Sequence, residues 1–314
     1  MTSTRSAKPR RRSLASTCVW CVSVGMFLFA APPAESQEMR SDSVIDPLAP
    51  VSVPVRYEAS GVPLDPFAAR APFGPGEHLV YKVKVGIFSV GEGYMSVVGV
   101  EDVRDNQAYR VEMGIRGGLG PAKVRDTYQT WFDVSTLQSW RFIQDIDDPG
   151  YESYRHYELF PERMRWERQD NDEAGDLGSA LPLDDISIIY FIRTLPLEVG
   201  RSYTLNRYFK KTGNPLVVHV LRKEQRETEG VVYNTIVVSP EIRTSGMFAE
   251  GGKAEIHFTD DERRIPVYVK SDIPNFPGSL TLHLRSIQEG FPLNPESRMQ
   301  ATELRIAREG SGGR

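Results

Sequence analysis

The sequence predicts a mainly β protein, a curved antiparallel sheet or incomplete β-barrel carrying one short buried helix near residues 184–194. Three observations predict it. Between about Phe73 and Gln288 most segments alternate apolar and polar residues, the period of a half-buried strand. These segments are short and separated by Gly, Pro, Asn and Asp, which favours hairpins over helical crossovers. One stretch, 183–197 (LDDISIIYFIRTLPL), breaks the alternation by crowding Ile186, Ile188, Ile189, Tyr190, Phe191 and Ile192 together.

Residues 1–36 read as an export signal. Arg5, Lys8, Arg10, Arg11 and Arg12 precede an apolar run over 18–31, and the small residues Ala34 and Ser36 suit cleavage between Ser36 and Gln37. The run is shorter than the ~20 residues needed to span a bilayer, so no stable transmembrane anchor is expected. Without residues 1–36 the chain has 33 Lys and Arg against 41 Asp and Glu, a net charge of −8. That balance lacks the basic footprint of non-specific nucleic-acid binding. Cys18 and Cys21 both fall in the apolar run, so the exported protein holds no cysteine and relies on its core. Residues 37–72, rich in Pro, Ser, Ala and Asp, read as a flexible leader.

The β-rich domain spans 73–288. Leu79, Tyr81, Val83 and Val85 share one face of a first strand, and 86–89 turns the chain into a second over 90–100. Tyr109, Val111, Met113 and Ile115 line one face of a third. A glycine-rich loop over 117–121 leads to a fourth strand, 124–134, which contains Asp133. Segments 137–145, 151–160 and 164–169 continue the meander, and 170–180 is an acidic loop. The stretch 183–197 then reads as a short buried helix, an isoleucine-rich strand being the alternative: Asp184 or Asp185 caps the N-terminus, Arg193 lies near the C-terminal end and Pro196 stops it. Strand patterns resume over 202–211, 216–226, 231–239, 253–260, 265–271 and 280–287, and 289–314 is a polar tail. The blocks 73–180 and 200–288 place Tyr, Glu, Tyr and Asp in the same order. A duplicated meander joined through the helix and a coincidence of turn spacing both account for this.

Several motifs together resemble one family. They are Gly76-Glu77-x-Leu79-x-Tyr81, the run Gly86-Ile87-Phe88-Ser89-Val90-Gly91-Glu92-Gly93, Asp133, Asp185-Ile186-Ser187-x-x-Tyr190-x-x-Arg193-x-x-Pro196-Leu197, Gly200, and Arg264-Ile265-Pro266-Val267. In order and spacing they resemble the bacterial family called domain of unknown function 3108, over roughly 73–288. The resemblance implies an exported envelope protein of a Gram-negative bacterium with a β-rich fold and no established activity. It supplies no catalytic residue. A more distant likeness, of architecture alone, is to periplasmic lipoprotein carriers, whose curved sheet wraps a hydrophobic cavity closed by helices.

Chemistry-bearing patterns are sparse. His78, His156, His219, His257 and His283 never fall at metal-ligand spacing, and no serine sits in a nucleophile elbow. Asp170-Asn171-Asp172-Glu173 begins like a calcium loop, but Ala174 and Leu181 stand where oxygen ligands are wanted. It and the acidic run 145–148 read as solvated loops, and no catalytic residue, metal or cofactor is expected. Trp131, Trp140 and Trp166 lie in strands near Arg125, Arg141, Arg165 and Arg168. One reading is an aromatic and basic lining for a lipid or other amphipathic small molecule; packing within a sheet core is the other. Tyr190 and Arg193 are further ligand-lining candidates. With Asp185 and Asp133 they also form a candidate structural motif, in which Arg193 complements the helix end or is buried against an acid. The expected protein is a non-enzymatic, periplasmic or secreted envelope protein that binds an apolar or amphipathic ligand in the concave sheet face. The alternatives are a hydrolase of an envelope polymer and a purely structural or assembly factor. Other envelope proteins are candidate partners.

Overall fold

The computed structural model describes residues 71–120, 122–242, 254–272 and 279–293, with the backbone of three two-residue strands ahead of them. The expected cleavage site at Ser36 and Gln37 lies outside the described residues, as do the signal segment and the end of the tail.

Among the described residues, fourteen antiparallel strands form one sheet that does not close into a barrel. In the first meander they are β1 (His78–Val85), β2 (Phe88–Val103), β3 (Asn106–Leu119), β4 (Ala122–Asp133), β5 (Ser139–Asp148), β6 (Tyr151–Phe160), β7 (Arg165–Arg168) and β8 (Ala174–Asp176). The second meander holds β9 (Ser202–Leu205), β10 (Leu216–Thr228), β11 (Val231–Glu241), β12 (Glu255–Thr259), β13 (Pro266–Asp272) and β14 (Ser279–Gln288). Their order is β9 through β14 and then β1 through β8, because the last strand pairs with the first. Among these fourteen strands every other pairing is between chain neighbours, so hairpins build both meanders. That order is common to any run of hairpins. At the β9 edge Val51–Ser52 pairs in parallel.

Register shifts interrupt six strand pairs, and each such bulge bends and twists the sheet. Curvature gives the sheet an inner face, on which Leu79, Tyr81, Val83, Tyr109, Val111, Val220, Val238, Ile256, Val269 and Leu282 join one core. Gly117 and Gly118, expected in a loop, instead belong to β3. Gly117 pairs with Gly91 across β2, and a Cβ at Gly117 would fall 2.0 Å from the Val90 carbonyl oxygen. Close backbone approach, rather than a turn, is what selects glycine there.

The two sheet margins do not pair directly. The segment 177–183 laces them instead through isolated bridges Leu177↔Lys210 and Leu183↔Tyr208. This explains why β9 ends at Leu205, short of the expected 202–211. Beyond it the buried Arg207 donates to the Leu181 carbonyl at 2.8 Å, and the Phe209 N–H donates to the Leu183 carbonyl at 3.0 Å.

Helix α1, Ser187–Ile192, sits against the inner face with all six residues buried. Its start is fixed by a reciprocal box. Asp184 Oδ1 accepts the N–H groups of Ile186 and Ser187 at 2.9 and 3.0 Å, while Ser187 Oγ accepts the Asp184 N–H at 2.8 Å. The Ile188 N–H donates to the Asp184 carbonyl at 3.1 Å, so Asp184 is the effective cap. At the other end the N–H groups of Thr194 and Leu195 tighten onto Phe191 and Ile192, and Pro196 prevents continuation. Six residues cannot hold a helix alone. Burial of each large apolar side chain contributes roughly 1.5–3 kcal/mol, which offsets the modest helix propensity of isoleucine.

Ile189→Asp places an unpaired carboxylate in this core and is expected to cost more than about 4 kcal/mol. Urea unfolding followed by circular dichroism should show no cooperative transition. A midpoint equal to that of wild type would contradict the covering role of the helix.

Candidate functional site

Three groups of polar residues meet the core, and they differ in how well their charges are satisfied. The first is a buried ion pair. The Arg193 guanidinium, directly after α1, donates to Glu77 Oε1 and Oε2 at 2.6 and 2.8 Å and to the Arg263 carbonyl at 3.0 Å. Glu77 immediately precedes β1, and residue 263 lies in the turn between β12 and β13, so one side chain ties the helix to both meanders. The guanidinium lies 5.2 Å from the Phe73 ring and 5.5 Å from that of Tyr190. Burial alone would lower the Arg193 pKa, but the Glu77 carboxylate beside it raises it. Tyr81 closes the group by donating to the Pro266 carbonyl at 2.8 Å. Tyr190 packs edge-on to Phe73 at 4.8 Å and lies 5.7 Å from Phe132. Both helix candidates, Tyr190 and Arg193, are therefore placed in the core.

The second group is on the opposite face. Trp131 and Trp140 form a small outer cluster with Val103 and Ala108. The Trp131 indole donates to Glu101 at 2.8 Å, and Arg110 and Arg141 lie over its ring at 5.6 and 5.3 Å. Glu101 also pairs with Arg110, and Glu158 takes both Arg104 and Arg141, so the arginine charge is answered locally. Trp166 belongs to the inner core, edge-on to Tyr157 at 5.6 Å. The three tryptophans are thus not brought together, and they line no common groove. Asp133 shapes the turn after β4, its Oδ1 accepting the N–H groups of Ser135 and Thr136 at 2.8 and 2.9 Å.

The third group gathers at one end of the inner face of β4, β5 and β6, beside the start of α1. Asp126, Gln144, Asp148 and Arg155 project there, on the same faces as Tyr128, Phe142 and Tyr157. Asp126 is 1% exposed and accepts only the Asp147 N–H, at 3.3 Å, among the described hydrogen bonds. Burial, reinforced by the charge of Asp148, pushes its pKa up to about 7. Asp185 accepts from the Tyr208 hydroxyl at 2.9 Å and from Gln144 at 3.4 Å; burial raises it to about 6 despite these bonds. Arg155 donates to the Tyr151 hydroxyl at 2.9 Å and to Gln144 at 3.4 Å. The run 145–148, expected as a solvated loop, is part of β5: Asp145 and Asp147 are exposed and Asp148 is 3% exposed. The inward alternation Phe142, Gln144, Ile146, Asp148 was the signal that could have found it. Asp126 offered only its place two residues before Tyr128.

Among the described residues, no group of three or more His, Cys, Asp or Glu is arranged to hold a metal ion. Nor is any helix among them long and apolar enough to cross a membrane.

An open, barrel-like antiparallel sheet wrapped on a pinned helix defines the class of this protein. The chain belongs to the family described as a protein of unknown function (DUF3108), whose model matches residues 80–285. No curated protein sequence matches it. Among solved structures it is similar to a β-barrel-like protein of unknown function family DUF1849 from Brucella abortus, at 11% identity and a TM-score of 0.44, covering 69% of this chain and 98% of that one. A hypothetical protein of Chlamydia trachomatis matches at 11% identity and a TM-score of 0.32, covering 74% of this chain and 96% of that one. A DUF1089 family protein of Pseudomonas aeruginosa matches at 13% identity and a TM-score of 0.29, covering 58% and 89%.

The elevated Asp126 pKa makes a signed prediction. Folded Asp126 keeps its proton to about pH 7, whereas in the unfolded chain it loses it near 3.8. Its stabilising contribution is complete below pH ~4 and is lost as pH rises through 7. Asp126→Asn removes that loss, so its stability relative to wild type should improve by on the order of 2–4 kcal/mol between pH 4 and pH 8. Urea midpoints across this range test it, and a difference that does not change with pH would contradict the buried, uncompensated carboxylate.

Proposed function

We propose that this is an exported, non-enzymatic envelope protein that binds an amphipathic small molecule on the inner face of its sheet. The observation that carries the reading is the distribution of polarity on that face. Its wall is apolar across both meanders, while Asp126, Gln144, Asp148 and Arg155 gather at one end. Small-molecule sites are commonly built this way, with mostly apolar lining and a few convergent polar groups whose pKa values are perturbed. An alkyl or ring portion would lie along the apolar wall, and a polar head would meet the acids. The signal-like composition of residues 1–36, with an expected cleavage between Ser36 and Gln37, supports a mature protein in the periplasm or outside the cell. The acidic balance of the remainder suits neither nucleic acid nor an anionic head group.

Hydrolysis of an envelope polymer is the second reading. One observation favours it: Asp126 and Asp185 are raised to about 7 and about 6, the range useful to a general acid near neutral pH.

Purification from the envelope under native conditions, followed by mass spectrometry, tests the first reading. The protein should begin at Gln37 and carry a stoichiometric amphipathic molecule that is released on denaturation. A chain that retains Met1, or one that is reproducibly empty, would contradict it.

A further inference from the structure

Buried carboxylates need hydrogen bonds or an opposite charge, and the inner face supplies these unequally. Asp184 accepts the Thr130 hydroxyl at 2.5 Å and two backbone N–H groups, at 2.9 and 3.0 Å. Asp126 is just as buried, yet its Oδ2 receives no hydrogen bond and its Oδ1 receives one long one. The nearest charge on its own face adds to the cost. Asp148 is the inward acid of β5, Asp145 and Asp147 add negative charge from the outer face of that strand, and the first contact of Asp185 is the Tyr208 hydroxyl rather than a cation. On β6, Arg155 donates to the Tyr151 hydroxyl and to Gln144, and its charge acts on Asp185 and Tyr128. Tyr128, the next inward residue of β4, is neutral and held so by burial. Apolar neighbours complete the surroundings: Ile115 is the cross-strand partner of Asp126, and Val124 and Tyr128 share its face of β4.

We propose that Asp126 anchors the protonated amine of an amphipathic ligand, with the ligand's apolar part lying along Ile115, Val124 and Tyr128. The proposal rests on the inner-face binding reading and names its head group. An ammonium donates up to three hydrogen bonds and neutralises a carboxylate, which supplies what Oδ2 lacks. A phosphate or sulfate head would meet acids instead, and a hydroxyl would leave the charge in place. The raised pKa of Asp126 is the unliganded counterpart of this arrangement, since a bound cation returns the carboxyl to its ionised form. Binding therefore strengthens as pH rises from 5 to 8, while an alkylamine remains protonated throughout.

Decylamine, decanol and decyl sulfate, titrated calorimetrically below their micellar concentrations, form the test. Decylamine should bind the full-length exported protein at least ~10-fold more tightly than decanol at pH 8, and lose most of that advantage at pH 5. Asp126→Asn, with its fold verified by cooperative unfolding, should bring decylamine to the level of decanol and leave decanol unchanged. Equal binding of amine and alcohol, preference for the sulfate, or an unchanged amine affinity in Asp126→Asn overturns the head-group assignment and leaves inner-face binding standing. If none of the three probes binds, both readings are overturned.

Discussion

The buried pair between Arg193 and Glu77 is the constraint on which the rest of the structure depends. Two charges removed from water are costly unless geometry is good and the remaining hydrogen-bonding groups are answered. Here the contact is two-pronged, at 2.6 and 2.8 Å, and a third bond goes to the Arg263 carbonyl. A well-packed apolar pair of similar volume would often be as stable, so we assign this one a docking role. An arginine held under a sheet has few acceptable positions. Wherever α1 settles, the arginine that follows it must meet the carboxylate just ahead of β1 and the turn that leads into β13.

This constraint organises the inner face. With α1 pinned at one end by Arg193, the Asp184–Ser187 box fixes the other end against Thr130 and Ser139. Aromatic packing of Phe73, Tyr109, Phe132 and Tyr190 fills the space between. The sheet can then remain open at its margins, because the helix and the lacing segment 177–183, rather than barrel closure, hold its curvature. The Arg193 guanidinium meets a carboxylate, although its Nε is left without a hydrogen bond; the Asp126 carboxyl accepts one long backbone hydrogen bond and its Oδ2 none. That contrast within one core separates a group built for stability from one available for a ligand, and it is the physical basis of the proposed binding face.

Much of this fold was legible in the sequence. Alternation in β1 and β3 identified strands and their inner faces because burial on one side of a sheet imposes a period of two. The helix was legible for the opposite reason, since Asp184 and Pro196 bracket the isoleucine cluster as a cap and a stop, which favoured a short buried helix over an isoleucine-rich strand. What was not legible depends on distant pairing. Glu77 stands 116 residues from Arg193, and nothing local marks it as the partner. The faces of Trp131 and Trp140 depend on the bulge between Trp131 and Phe132, which inserts one extra residue in β5 and breaks simple counting. Asp126 was hidden among polar neighbours on β4, and 145–148 looked solvated because three of its four residues are acidic. Glycines 117 and 118 suggested a loop because strand glycine and turn glycine look the same without the partner strand.

The docking claim is tested most directly by a double-mutant cycle at Glu77 and Arg193, with Met at each position and stability measured by urea unfolding. The account predicts that each single substitution costs about 3–5 kcal/mol by stranding the other charge, and that the double variant recovers at least ~2 kcal/mol of the summed loss. Single losses under ~1 kcal/mol that simply add would contradict it, since the pair would then contribute nothing specific to holding the helix in place.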